Sequence, residues 1–134
     1  MKAITVDPVW AWVIFRRIKP VENRTWRTRH RGELAIHAGQ GTPERNREAR
    51  ALLESLGYRV PETLPTGAVV ALATLGDCLS IDELRRVDPP LADNAFCSGP
   101  FCWILKNVRP IEPIPCAGKQ GLWNFEYQPL IRAN

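Results

Sequence analysis

The apolar run from Gly67 to Leu75, Gly-Ala-Val-Val-Ala-Leu-Ala-Thr-Leu, constrains the fold more than any other stretch of the sequence. It has the length of a strand, is preceded by a proline-containing loop and ends at Gly76-Asp77, which is typical of a turn. We therefore predict that it forms the central strand of a sheet. Asp77 would lie at the end of that strand, either as an acid or ligand acceptor or simply as a turn residue.

The segments around this strand predict one α+β domain over residues 1–134. Asp7-Pro8 and Thr42-Pro43 are N-cap and first-position signals for two helices, and Pro20 ends the first of them. The predicted elements are a strand over 1–6, a helix from 8 to 15 or 18, strands over 21–25 and 33–38, a helix over 43–56, the central strand, a short helix from 80 to 86, a loop over 88–100, a strand over 101–111, and a last segment after a turn at 118–123.

The charge of the chain is concentrated between Arg16 and Arg31. This stretch holds seven of the 18 Lys and Arg residues and a single acid, Glu22, so that the rest of the chain carries 11 cations and 13 acids. A concentrated arginine block that also contains Trp26 suits a polyanion with phosphates and stackable bases.

The order of residues within this block adds a second indication. In an extended strand over 21–25, side chains alternate, so Glu22, Arg24 and Trp26 share one face. Lys19 lies at the helix-to-strand corner before them. These residues form either a polar cluster with an aromatic wall or a structural ion-pair network, since such networks also perturb pKa values.

The segment Lys-Pro-Val-Glu-Asn-Arg-Thr-Trp, residues 19–26, followed by Thr28, Arg31-Gly32 and residues 34–38, resembles the ASCH domain family. The loop pattern of that family is Gly-x-Lys-x-x-Glu-x-Arg, and Lys19, Glu22 and Arg24 match its three charged positions. Residues 101–109 and 119–123 resemble the closing strand and final turn of the same family. The resemblance implies a PUA-like small β-barrel with flanking helices. Arg17 stands where the family has Gly, and it cannot adopt a positive φ as cheaply.

The block and the resemblance together indicate binding of single-stranded RNA or of a nucleoside or nucleotide. Trp26 would stack on a base, Lys19, Glu22 and Arg24 would recognise the polar edge of that base, and the remaining arginines would contact phosphate. The predicted ligand-binding residues are Lys19, Glu22, Arg24, Trp26, Arg27, Arg29 and Arg31.

Two other classes of function remain open. The resemblance also implies a hydrolase, either a ribonuclease or an enzyme similar to the N4-acetylcytidine amidohydrolase of the family, with Lys19 and Glu22 as catalytic residues. In that amidohydrolase branch the position of Glu22 is a nucleophilic Thr, so the covalent route is lost here. The third class is a protein-interaction module, because related ASCH segments occur in transcription coactivators.

The remaining features predict a cytoplasmic protein with neither cofactor nor metal. No run approaches the roughly 20 apolar residues that cross a bilayer, and the N-terminal segment does not resemble a signal peptide. The four cysteines, Cys78, Cys97, Cys102 and Cys116, show no zinc-site spacing and are expected to be free thiols. His37, at the end of a predicted strand, has either a catalytic role or a role in packing. The sequence does not indicate an oligomeric state.

Overall fold

The computed structural model of the protein describes residues 1–127. Its elements, in chain order, are β1 (Lys2–Val6), α1 (Pro8–Phe15), β2 (Val21–Arg24), β3 (Gly32–Ala38), α2 (Pro43–Ser55), β4 (Ala68–Ser80), α3 (Ile81–Val87), α4 (Pro89–Ala92), β5 (Phe101–Pro115) and β6 (Trp123–Asn124). The predicted α+β class is confirmed. No helix within the described residues is long and apolar enough to cross a membrane.

The six strands form one sheet in the order β2-β5-β4-β3-β1-β6. β1 and β3 run parallel, and the other neighbouring pairs are antiparallel. Within residues 1–127 no ladder joins β2 to β6, so the predicted barrel takes the form of an open sheet. The N-terminal amine donates to the carbonyl of Phe125 at 2.7 Å, which places the start of β1 beside the segment that follows β6.

Two helix starts follow from their capping residues. Thr42 accepts a hydrogen bond from the backbone N–H of Arg45 at the start of α2, and Ser80 and Glu83 form a reciprocal capping box at the start of α3. α1 is apolar on nearly all sides, because it lies between the sheet and α2. These local signals were readable from the sequence, and the helices begin where they predict.

The structure corrects three boundaries. β4 continues past Leu75 to Ser80, with a register shift between Leu75 and Asp77, so Asp77 lies within the strand and not at its end. β5 continues to Pro115 instead of ending at residue 111. The predicted loop over 88–100 contains the short helix α4. Pairing of β4 with β5 along most of their lengths explains the two longer strands, because tertiary pairing overrides the local turn and proline signals.

Arg17 has a φ of 61°, in the left-handed region. The backbone therefore keeps a conformation that suits the Gly of the loop pattern, although the residue is Arg. The Arg17 side chain donates from Nε to the carbonyl of Val108 at 2.9 Å. This hydrogen bond joins the turn after α1 to β5 and offsets part of the cost of the conformation.

Candidate functional site

Lys19, Glu22 and Arg24 form a chain of ion pairs at the start of the sheet, which we call the ion triad. Lys19 Nζ lies 2.9 Å from Glu22 Oε1, and Arg24 Nε lies 3.1 Å from Glu22 Oε2. Lys19 is 5% exposed and Glu22 is 7% exposed. The contact between Arg24 and Glu22 is ionic, because the Nε–H bond is not aligned with the carboxylate oxygen. This contact confirms that Glu22 and Arg24 share a face, whereas Trp26, the third residue of that predicted face, lies beyond the end of β2.

Arg24 is held at a second point as well. Its Nη2 donates to the carbonyl of Thr5 at 2.8 Å, so the guanidinium joins β2 to β1 across the sheet. A guanidinium has five N–H donors. Two contacts, one with Thr5 and one with Glu22, fix its direction and leave further donors for a ligand.

A cavity of about 800 Å³, which we call the large cavity, opens beside Arg24. Arg24 and Trp26 come to it from the arginine block, Arg45 from the first turn of α2, and Lys119 from the turn after β5. Its backbone wall is rich in glycine, with Gly39, Gly41, Gly67, Gly118 and Gly121 among the lining residues. Asp7 is the acid in the lining, and Arg45 pairs with both of its oxygens at 2.8 and 3.1 Å.

Trp26 lies after the end of β2 and packs edge-on against Trp103. The ring centroids are 4.8 Å apart and the planes meet at 89°. Trp103 is fully buried and donates from its indole N–H to the carbonyl of Trp26 at 3.3 Å. Trp26 is thus a half-buried ring at the large cavity. Its packing against Trp103 already fixes its orientation, so it can contact a planar ligand without first being ordered.

Lys19 and Glu22 line a different space, the small cavity of about 330 Å³. Trp10, Asn23 and Phe96 contribute to its walls as well. Lys19 Nζ lies 4.9 Å from the centre of the Trp10 ring, a cation–π contact. The structure therefore brings Lys19, Glu22 and Arg24 into one ion triad. Lys19 and Glu22 line the small cavity, and Arg24 lines the large cavity.

His37 is 2% exposed and both of its ring nitrogens have partners. Nε2 lies 2.8 Å from the carbonyl of Cys116, which only accepts, so Nε2 carries a proton. In the neutral ring Nδ1 then accepts from the hydroxyl of Thr5 at 3.2 Å. Trp123 in turn donates its indole N–H to the same hydroxyl at 3.2 Å. This network holds the start of the turn that carries Lys119.

Gly118 packs directly on this network. A Cβ atom at residue 118 would lie 2.6 Å from Thr5 Oγ1 and 2.7 Å from the His37 ring, closer than side chains approach. Glycine fits there without displacing Thr5 or His37. Thr5 and His37 both line the large cavity, and their hydrogen bonds anchor the turn there.

The three arginines that follow Trp26 differ in their partners. Arg27 pairs with Glu83, and Arg31 Nη2 lies 3.2 Å from Asp77 Oδ1. The hydrogen bond from Arg27, together with those from Ser80, lowers the pKa of Glu83 from 4.5 to about 2. Arg29 is exposed and has no carboxylate partner within residues 1–127. Contact of these three arginines with phosphate stays a prediction, and two of them already have a carboxylate partner in the fold.

Thr5, Arg45 and Lys119 line the large cavity and were absent from the predicted site. The alternating charges of α2 indicated a solvated surface for Arg45, and Lys119 stood out only as a cation within a glycine-flanked turn. Within residues 1–127, no three His, Cys, Asp or Glu side chains converge as metal ligands would.

The sequence profile of the ASCH domain matches residues 4–115, which include the ion triad, Trp26 and most of the sheet. The chain belongs to the ASCH domain family. The resemblance that rested on residues 19–38 is therefore confirmed.

This ASCH domain is similar to Activating signal cointegrator 1 of Homo sapiens and of Mus musculus. The identities are 30% and 31% over 129 residues, or 92% of this chain in both cases. The chain spans 22% of the length of each of these relatives.

Solved structures of ASCH from Zymomonas mobilis share the fold. The structure of ASCH matches with a TM-score of 0.56 and 16% identity, covering 93% of this chain and 87% of that one. A serine-to-alanine mutant of the same protein matches with a TM-score of 0.59, 17% identity and the same coverage. At these identities the likeness establishes the fold.

Proposed function

We propose that this ASCH domain binds single-stranded RNA by taking one nucleotide into the large cavity. The observation that carries the proposal is that Arg24 and Trp26, two residues of the predicted binding set, line the same space of about 800 Å³. Ligand pockets of small molecules occupy about 300–1,000 Å³, so a nucleotide fits this space. Unpaired bases that stack on aromatic rings are the usual target of sequence-specific RNA recognition.

The cavity offers a base and a phosphate separate partners. Trp26 supplies the ring for stacking, and base–aromatic stacking contributes about 1–3 kcal/mol per base. Arg24 supplies donors that suit a base carbonyl or ring nitrogen. Lys119 supplies a cation on the turn above, and its ammonium has no carboxylate within 4 Å in residues 1–127.

Lys19 and Glu22 would act through Arg24. Glu22 divides its two oxygens between the two cations, so the position of the guanidinium depends on the carboxylate, and that of the carboxylate depends on Lys19. As a base, Glu22 would take up a proton and lose the negative charge that compensates both Lys19 and Arg24. The geometry therefore favours binding over hydrolysis.

Arg29 extends the site along the strand of RNA. Unlike Arg27 and Arg31, it has no acidic partner in the described part of the chain, so it can meet phosphate without first breaking an ion pair. Arg27 and Arg31 would contribute less to RNA affinity, because phosphate must compete with Glu83 and Asp77.

Fluorescence anisotropy with a short, mixed-sequence single-stranded RNA tests the proposal with two matched pairs of variants. Lys119→Ala is compared with Lys106→Ala, an exposed lysine of β5 outside the cavity lining, and Arg29→Ala is compared with Arg47→Ala on the exposed surface of α2. We expect Lys119→Ala and Trp26→Leu each to weaken binding about tenfold, as the loss of one charged hydrogen bond or one stacked base implies. Equal losses in both members of the lysine pair would refute the cavity as the site.

The same incubations distinguish the other functions. Mass spectrometry of the RNA, and of N4-acetylcytidine added separately, reports any turnover. Product that disappears in Lys19→Ala would establish the hydrolase. The absence of both binding and turnover would favour a protein-interaction module, as the name of the relative Activating signal cointegrator 1 suggests.

A further inference from the structure

Cys97 and Cys102 form a close thiol pair away from the large cavity. Their sulfur atoms lie 3.4 Å apart, in contact but not bonded. Cys102 is the second residue of β5, and Cys97 lies in the segment between α4 and β5. A disulfide bond is about 2 Å long, so a small movement of the loop residue suffices to form one.

The two thiols differ in access. Cys97 is partly exposed, whereas Cys102 is fully buried. Burial and the hydrogen bond with Cys97 raise the pKa of Cys102 to about 12, which keeps this thiol protonated and protects it from direct attack. An oxidant in solution therefore meets Cys97 first, with Cys102 already in contact behind it.

The segment that carries Cys97 is also a wall of the small cavity, to which Ala95, Phe96 and Ser98 contribute. One side chain, Asn23 of β2, holds this wall. Asn23 Nδ2 donates to the carbonyl of Phe96 at 2.9 Å, and Asn23 Oδ1 accepts from the N–H of Ser98 and of Gly99 at 3.0 and 2.9 Å. Asn23 pairs with Cys102 in the ladder between β2 and β5, so the thiol pair lies next to these hydrogen bonds.

We propose that Cys97 and Cys102 are an oxidation site for hydrogen peroxide and that their disulfide fastens residues 93–99 over the small cavity. The thiolate of Cys97 attacks one peroxide oxygen, the O–O bond breaks, and the departing hydroxide takes a proton to leave as water. The sulfur of Cys102 then attacks the sulfenic sulfur of Cys97, and the hydroxyl leaves as a second water with the proton of Cys102. Two thiols give two electrons to one peroxide, and a dithiol reductant reverses the reaction.

Peptide mass spectrometry after treatment with hydrogen peroxide tests the bond. Trypsin cleavage after Arg86 and Lys106 yields one peptide, 87–106, that contains both cysteines. We expect this peptide to lose two hydrogen atoms in the wild type and in Cys116→Ser, because the thiol of Cys116 has no thiol partner within residues 1–127. The loss should disappear in Cys97→Ser and in Cys102→Ser. A peptide that stays reduced, or that gains only oxygen atoms, would overturn the proposal.

Hydrogen exchange on the same wild-type sample tests the effect on the wall. The backbone amides of Ser98 and Gly99 are protected by Asn23, so their exchange reports the opening of this segment. We expect severalfold slower exchange in the oxidised protein, reversed by dithiothreitol. A disulfide that leaves both amides exchanging at their original rates would refute the fastening of the wall.

Discussion

The ion triad makes Glu22→Gln the most informative single substitution in this domain. The change keeps the size and shape of the side chain but removes the charge that lies between Lys19 and Arg24. Removing one partner of a buried ion pair costs about 3–5 kcal/mol, because the remaining charge is left buried without compensation. Arg24 keeps 21% of its side-chain surface exposed and can recover some hydration, so we expect about 3 kcal/mol, at the low end of that range.

This loss of stability is large enough to measure in two ways. For a chain of 134 residues, about 3 kcal/mol corresponds to a decrease of about 12 °C in Tm. Urea unfolding followed by circular dichroism should show a lower midpoint with an unchanged m-value. Glu112→Gln is the matched control, since Glu112 is exposed on β5 and has no ion pair in the described residues.

A double-mutant cycle with Lys19→Met separates the pair from general damage to the core. If the triad is coupled as its distances indicate, the loss of unfolding free energy in the double mutant will differ from the sum of the two single losses by more than about 1 kcal/mol. A loss of less than about 1 kcal/mol in Glu22→Gln, or additive losses in the cycle, would refute the argument that the carboxylate holds both cations.

Three further predictions concern the scaffold around the site. Arg17→Gly should be more stable than Arg17→Ala by about 1 kcal/mol in urea unfolding, because only glycine relieves the positive φ; equal stabilities would contradict this. Glu83, whose pKa in the folded state is lowered to about 2, should contribute stability above pH 4.5 that disappears as the pH falls towards 2. In Glu83→Gln the free energy of unfolding should lose this dependence on pH between 4.5 and 2. An unchanged dependence would refute its assignment to the pair of Glu83 with Arg27. Gly118→Ala should destabilise the domain by about 1–3 kcal/mol, because the new Cβ collides with Thr5 and His37; an unchanged Tm would show that the turn moves freely.

The local parts of the fold were predictable because short-range signals determine them. Proline and capping residues set the start of α1, α2 and α3, and the alternation of a strand placed Glu22 and Arg24 on one face. The full lengths of β4 and β5 were not predictable, since Gly76-Asp77 is typical of a turn and the strand pattern of β5 ends at residue 111. Pairing between these two strands, with three register shifts, carries both of them past those residues.

The candidate site was only half predictable for a related reason. Arg24 and Trp26 belong to one compact motif, but Arg45 and Lys119 reach the large cavity from α2 and from the turn after β5. The residues next to Arg45 and next to Lys119 in the sequence give no indication that both side chains line one cavity. The carboxylate partners of Arg27 and Arg31 were not predictable for the same reason, because Glu83 and Asp77 lie about 50 residues further along the chain.

The pairing of β1 with β6 has a consequence for the order in which this domain assembles. Among the strands of the sheet β1 is synthesised first, yet one of its edges pairs with β6, which follows all the others in the sequence. During synthesis on a ribosome, one edge of β1 therefore stays unpaired, and can pair with other chains, until the segment with β6 has emerged. The same late segment brings the carbonyl that holds His37 and the turn with Lys119. Nascent chains released early should lack the completed cavity even where β3, β4 and β5 have already paired.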